Sequence, residues 1–263
     1  MLTTTIAPTG GSARLAGVDV VRQPLAARRI SSVVFQEPVV DRALSGRRNL
    51  ELHGRLWGVE PALGSERIGK LVDALGLAAL VERPVATYSG GERRRLEIAR
   101  ALVSEPRVLF LDEPTVGLDP RVRYELLDVI AGLRGRSEVT ILLTTHYLDE
   151  AERLCDRVGI VHAGRIVALD TPAALLAGLG AEILEVRAQD DPVAAFAALR
   201  SQGIAGEDAF MIGATVTIPL RHRSTREAID ALGTSGVATS SVTTRPPTLD
   251  DVYLHLTGES LAA

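Results

Sequence analysis

Two periods of apolar residues share this chain. From about Ile30 to Asp170, short β-rich runs alternate with stretches of helical period, the pattern of a layered α/β domain. Ile30–Phe35 reads as a strand that ends at Gln36-Glu37-Pro38. Ala43–Glu82 shows no alternation and predicts two or three helices, the first part of a helical insertion spanning about 43–105. Gly90–Val103 predicts a helix with Leu96, Ala99, Leu102 and Val103 on one stripe. Val108–Leu111 is apolar on both faces, as a buried parallel strand is. Pro120 is pre-set for a first helical position and opens another helix. Val139–Thr144 predicts a second buried strand, and Leu148–Cys155 a short helix. Val158–His162 and Arg165–Asp170 flank Ala163-Gly164 as a hairpin, and Thr171-Pro172 caps a closing helix.

The register changes at Gly178–Ala181. Beyond it the order is strand (Glu182–Arg187), helix (Pro192–Gln202), hairpin (Ala209–Leu220), helix (Thr225–Leu232) and strand (Val237–Thr243). That order predicts a small ferredoxin-like α+β domain. A last helix places Leu249, Val252, Tyr253 and Leu256 on one face, with Thr248 and Asp251 as a capping pair. The expected domains are therefore 1–178 and 179–263.

Composition narrows the function classes. Apolar residues make up 46% and charged residues 24% of 263, enough for a sizeable core. A net charge of -4 and only 3% aromatics argue against a nucleic-acid partner. The single Cys155 rules out a disulfide framework and fits a reducing compartment. The start Met1-Leu-Thr-Thr-Thr carries no secretory pattern, and the greasiest run, Leu71–Val81, is too short to span a bilayer. A membrane role must come through a partner.

Candidate chemistry lies at the ends of the predicted strands. Asp112, at the end of the run Val108–Leu111, is placed to hold Mg²⁺ through hard oxygen, and Glu113 to polarise an attacking water. An acidic turn after a strand is the plainer alternative. Upstream, Ser89-Gly90-Gly91-Glu92 opens a helix whose N–H groups and dipole favour an anion, although Ser89-x-x-Glu92 is also a capping box. Gln36 follows a strand, where a neutral amide can sense a metal or its water. Gly117-Leu-Asp119-Pro120 makes a tight turn, and Thr144-Thr145-His146 follows a strand and can place an imidazole near a phosphate. Any one of these alone is more often structural; five in this order are not coincidence.

The ordered set Phe35-Gln36-Glu37, Tyr88-Ser-Gly-Gly-Glu92, Leu-Phe-Leu-Asp-Glu-Pro-Thr115, Gly-Leu-Asp-Pro120 and Thr-Thr-His146 resembles the ABC-transporter ATPase family across nearly all of residues 1–175. The resemblance implies an ABC-type P-loop NTPase core that works with ATP and Mg²⁺. It makes Gln36 the Q-loop residue near Mg²⁺ and the membrane subunit. Ser89, Gly90, Gly91 and Glu92 become the signature, in which Ser89 and Gly91 bind the γ-phosphate of ATP held by an opposite protomer. Asp112 becomes the Mg²⁺ carboxylate, Glu113 the general base, Asp119 the aspartate of the dimer seam and His146 the switch histidine. Glu92 stands where the family often has Gln. The segment His146–Arg157 and the tail Pro247–Gly258 are similar to the drug-resistance exporter branch of daunorubicin type. The implied partners are a membrane permease subunit and a second ATP-binding subunit, as a homo- or heterodimer. The implied place is the cytoplasmic face of the membrane, and the cargo is set by the permease.

The family grips phosphate with G-x-x-x-x-G-K-[ST], between its first strand and first helix. Lys70 is the chain's one lysine, and its run Gly64–Leu71 ends in Leu and follows no strand, so it reads as a solvated helix residue. Met1–Gly11 resembles the family just after that first helix begins. The expectation is thus a chain that starts inside the helix, amino-terminally incomplete and inactive toward ATP by itself. The alternative is a degenerate, non-hydrolysing partner that completes another subunit's ATP site. Trp57 reads either as core or as an anchor for the permease. Arg93-Arg94-Arg95 reads as a solvated face, Arg221, Arg223 and Arg226 as the small domain's rim, and His53, His162, His222 and His255 show no metal spacing.

Overall fold

The computed structural model describes residues 1–134, 139–221 and 223–258. The chain divides into two compact units, Met1–Thr145 and His146–Ala263.

The first unit opens on residues 1–13 without helix or strand. The helix expected at Met1 is absent, and the composition gives the reason: Thr3-Thr4-Thr5 are β-branched, and Pro8, Gly10 and Gly11 resist helix. A two-residue hairpin follows, β1 (Arg14–Leu15) and β2 (Val18–Asp19), turned by Ala16 and Gly17 at φ 44° and 88°. Next come α1 (Pro24–Arg29), with proline in its first turn, and β3 (Ser31–Val34). The expected helical region then appears as α2 (Gly46–Leu56), capped by the Ser45 hydroxyl, and α3 (Pro61–Ala74), capped by the Glu60 carboxylate. After a short 3-10 turn at Val85–Thr87 comes α4 (Gly90–Leu102), which packs on α2, α3 and β3. The unit continues through β4 (Val108–Asp112), α5 (Pro120–Arg134) and β5 (Thr140–Thr144).

Strands β3, β4 and β5 are parallel, in that order, with Val34 opposite Leu111 and Asp112 opposite Thr144. Leu109 and Leu111 of β4, Leu96, Ile98 and Ala99 of α4 and Leu126, Leu127 and Ile130 of α5 are all buried and make up much of the unit's apolar interior. β5 departs from expectation. It is the outer strand of the described sheet, its residues alternate between exposed and half-buried, and Leu142 is 40% exposed.

One buried group makes this unit acid-sensitive. His53 of α2 is 7% exposed, its ring stacks 4.3 Å from Trp57, and its Nε2 has no hydrogen-bond partner. Burial, and then the charge of Arg100, lower its pKa to about 4. A base whose folded pKa is depressed binds its proton in the unfolded chain first. The stability it leaves intact above the unfolded pKa near 6.5 is therefore lost as pH falls toward 4, at up to about 1.4 kcal/mol per pH unit. Thermal midpoints should fall between pH 7 and pH 5, and His53→Phe should flatten that fall; an unchanged pH slope in the variant would exclude this origin. Trp57 itself is 45% exposed, so it is not a core residue.

The second unit begins with α6 (Leu148–Leu154) and the antiparallel pair β6 (Val158–His162) and β7 (Arg165–Asp170), turned by Ala163 and Gly164 at φ 48° and 74° as that sequence predicts. The closing helix α7 (Pro172–Ala177) is capped by Thr171. Then follow β8 (Ile183–Ala188), α8 (Pro192–Ser201), β9 (Phe210–Ile212), β10 (Thr215–Pro219), α9 (Thr225–Thr234), β11 (Thr239–Arg245) and α10 (Leu249–Thr257). The described strands β8–β11 form an antiparallel sheet ordered β11-β8-β10-β9, the ferredoxin-like arrangement. Leu184, Val186, Val216 and Ile218 of that sheet share a core with Leu199 and Leu232 of its two helices. A second core joins Ala151, Val158, Ile160 and Leu179 to Ile183, Leu249 and Val252. No helix among the described residues is long and apolar enough to cross a membrane.

Candidate functional site

Parallel strands end together, and their carboxyl ends are where α/β sheets present polar side chains. Val108 to Leu111 are buried and Asp112, one residue on, is exposed. The register sets Thr144 beside it, and the Thr144 hydroxyl donates to Asp112 Oδ1 at 2.5 Å. Glu113 then turns the chain with φ at 43°, a left-handed value uncommon for a residue with a side chain. Its N–H donates to the Thr144 carbonyl at 3.1 Å and sits 3.2 Å from the Thr144 hydroxyl oxygen, which holds that turn in place. Gln36, two residues past β3, donates from Nε2 to Glu113 Oε2 at 2.9 Å. The three strand ends thus bring Gln36, Asp112 and Glu113 together, with Thr144 bridging the two acids.

The glycine-rich cap is built as its sequence predicts. Ser89 Oγ accepts from the Glu92 N–H at 3.3 Å, and the Ser89 N–H donates to Glu92 Oε2 at 2.7 Å, so the capping box exists. Ser89 and Gly90 are exposed at the start of α4, whereas Gly91 is buried. A Cβ on Gly91 would overlap Cγ1 of Val122 on α5, so glycine is required there for close helix packing. Asp119 caps α5 by accepting from the Val122 N–H at 3.1 Å, after Gly117 at φ 76°. His146, two residues past Thr144, is the first residue of the second unit, and its ring lies 4.1 Å from that of Tyr147.

The roles of two side chains of this region were not foreseen. Thr144 entered the sequence pattern only as the start of Thr144-Thr145-His146; its bond to Asp112 follows from the strand register. Arg94 was expected on a solvated face and is instead 6% exposed. The signal was available, because Arg94 falls on the same helical stripe as buried Gly91, Ile98 and Ala101. Lys70 is the solvated residue its sequence predicts: it lies inside α3, mostly exposed, and pairs with Glu66 at 2.6 Å.

The donor set suits a magnesium ion in one respect. Mg²⁺ takes one or two carboxylates and fills its shell with water and phosphate oxygens. Asp112 is an exposed carboxylate with a neutral amide, Gln36, across from its neighbour Glu113. Among the described residues no three His, Cys, Asp or Glu side chains gather as a self-sufficient metal cluster. His222 lies outside the described residues.

A model of the ABC transporter family matches residues 1–116. The daunorubicin resistance ATP-binding protein DrrA3 of Streptomyces coeruleorubidus is 40% identical, over 98% of this chain and 82% of that protein. The doxorubicin resistance ATP-binding protein DrrA of Mycobacterium tuberculosis is 38% identical, over 98% of this chain and 79% of its own length. Among solved structures, cbiO1 from Clostridium perfringens, part of the ABC transporter complex cbiONQ, superposes with a TM-score of 0.62 at 25% identity, over 67% of this chain and 72% of that one.

Proposed function

Because this chain belongs to the ABC transporter family of ATP-binding proteins, we propose that it is the ATP-binding and ATP-hydrolysing subunit that energises an exporter of drugs or similar hydrophobic compounds, working only where a phosphate-gripping G-x-x-x-x-G-K-[ST] loop, which residues 1–263 do not contain, is supplied to it. The observation that carries the reading is the convergence of Gln36, Asp112 and Glu113 at the strand ends, braced by Thr144. Asp112, with Gln36, would hold Mg²⁺, which neutralises charge on the phosphates. Glu113 accepts a proton from the attacking water, and the Gln36 amide orients its carboxylate. The signature Ser89-Gly90-Gly91-Glu92 opens α4, where the exposed Ser89 and the backbone N–H of Gly91 would meet the γ-phosphate of ATP on an opposite subunit, Gly90 lets that backbone approach and Glu92 holds the cap, with Asp119 at the seam between the two. His146 serves as the switch histidine. By sequence the ATP-handling part is 1–178 and the accessory module 179–263, whereas in the fold residues 146–178 belong to the same compact unit as the module.

The permease, at the cytoplasmic face of the membrane, would dock around Gln36 and α2. Support comes from the exposed apolar side chains there, Phe35, Val39, Leu52, Leu56 and Trp57. In a Cys155→Ser background, cysteines at positions 40–50 should cross-link to the permease in membranes. Capture only from residues 179–263 would overturn the placement. A second reading is a non-hydrolysing partner that lends Ser89 and Gly91 to another subunit's ATP, and the exposed cap of α4 favours it equally. Vesicles carrying the permease and this chain joined to a G-x-x-x-x-G-K-[ST] segment should hydrolyse Mg·ATP, and those with residues 1–263 alone should not; an assembly that stays silent with the segment joined would leave that second reading.

A further inference from the structure

Arg94 is a charged residue on the buried stripe of α4, and burying an ion costs several kcal/mol unless it is paired and hydrogen-bonded. Its guanidinium meets that condition with backbone carbonyls from both loops of the site. Nε donates to Pro114 O at 2.7 Å, Nη1 to Phe35 O at 2.5 Å, and Nη2 to Glu113 O at 3.0 Å. Nη2 also faces Gln36 O at 3.4 Å and Asp112 O at 3.5 Å. Its counter-ion is Glu97, one turn on and 1% exposed, whose Oε2 lies 3.0 Å from Nη1. The other oxygen of Glu97, Oε1, accepts the Val39 N–H at 2.7 Å. The pair therefore grips the loop after β3 at both ends, Phe35–Gln36 and Val39, and the acidic turn after β4.

We infer that Arg94, held by Glu97, is a positioning residue that fixes the Gln36 loop and the Asp112–Glu113 turn relative to each other. Neither side chain reaches the reacting atoms. A guanidinium can serve this many carbonyls because it presents five N–H donors in one rigid plane; a lysine cannot reproduce that fork. The pair also ties both loops to the helix that begins at Ser89. A shift of α4 thus moves Gln36 and Glu113 as one body, and the loop proposed to face the permease is coupled to the proposed base. The inference rests on the ATPase reading for its catalytic consequence, and on the geometry alone for the clamp.

The test uses the full chain alone and, for hydrolysis, the chain joined to a G-x-x-x-x-G-K-[ST] segment and assembled with its permease. Arg94→Met strands Glu97, so Arg94→Met/Glu97→Leu is made beside it, since replacing both ions by apolar groups spares the fold. Arg95→Met is the control and Arg94→Lys the conservative change. In the chain alone, hydrogen exchange at the Val39 and Glu113 amides should quicken at least about tenfold in the double variant, with exchange in α5 and the second unit unchanged. In the assembly, kcat for Mg·ATP should fall about 10–100-fold with KM within about threefold, Arg94→Lys should recover part of it, and Arg95→Met should match the parent. Parent-like exchange at Val39 and Glu113 would overturn the clamp. Exchange that quickens everywhere, or a loss equal in kcat and KM, would reduce the pair to ordinary core structure. A parent assembly that hydrolyses no ATP would refute the ATPase reading, while the exchange measurement still decides the clamp.

Discussion

Glu113→Gln in the assembled transporter, with the phosphate-gripping loop supplied, should slow Mg·ATP hydrolysis by about 10²–10⁴-fold, the usual cost of removing a general base, and leave ATP-dependent pairing of subunits intact. The substitution is close to isosteric. A glutamine carbonyl at position 113 still accepts from Gln36 Nε2, now 2.9 Å from Oε2, and the turn is set by the Glu113 N–H to Thr144 bonds, which the change does not touch. The left-handed φ of 43° costs glutamine no more than glutamate. What disappears is the ability to take a proton. Single-turnover hydrolysis and nucleotide-dependent dimer formation, measured side by side, separate the two effects. A variant that hydrolyses at the parent rate would remove Glu113 from that role and favour the non-hydrolysing reading.

Much of the site was legible because its chemistry sits where local rules are strict. Pro120 opens α5, Ser89 and Glu92 cap α4, and Ala163-Gly164 turns a hairpin whose strand limits match the apolar pattern residue for residue. The ferredoxin-like sheet followed from element order alone, since a strand-helix-strand-strand-helix-strand run has few un-knotted closures. What escaped were features that are not local. β1 and β2 are two residues each and show no period, and α1 is under two turns long. β5 has the apolar run of a buried strand, yet its place in the sheet, which no window of sequence contains, leaves it half-covered. Arg94 was misread because its charge outweighed its position. Three consecutive arginines look like a solvated face, and only the stripe through Gly91, Ile98 and Ala101 tells that the middle one points inward.

Gly91→Ala is expected to destabilise the first unit, and Val122→Ala to restore it. A Cβ at position 91 would overlap Val122 Cγ1, and Val122 cannot swing clear because β-branched residues in helices hold essentially one rotamer. Overpacking of this kind costs about 1–3 kcal/mol, and the gain of about 1 kcal/mol from replacing glycine in a helix offsets only part of it. With alanine at 122 the nearest remaining atom is the residue's own Cβ, 3.6 Å from the new methyl, an ordinary contact. The two substitutions should therefore couple strongly in a double-mutant cycle of thermal or denaturant unfolding. Lack of destabilisation in Gly91→Ala, or failure of Val122→Ala to recover it, would sink the packing argument. Hydrolysis in the assembled transporter then distinguishes the two uses of this glycine. If Gly91 serves only to let α4 approach α5, the double variant regains activity with stability. If its backbone must also meet the γ-phosphate on the opposite subunit, as proposed, stability returns while hydrolysis stays low, because the added methyl stands beside the N–H groups that the phosphate needs.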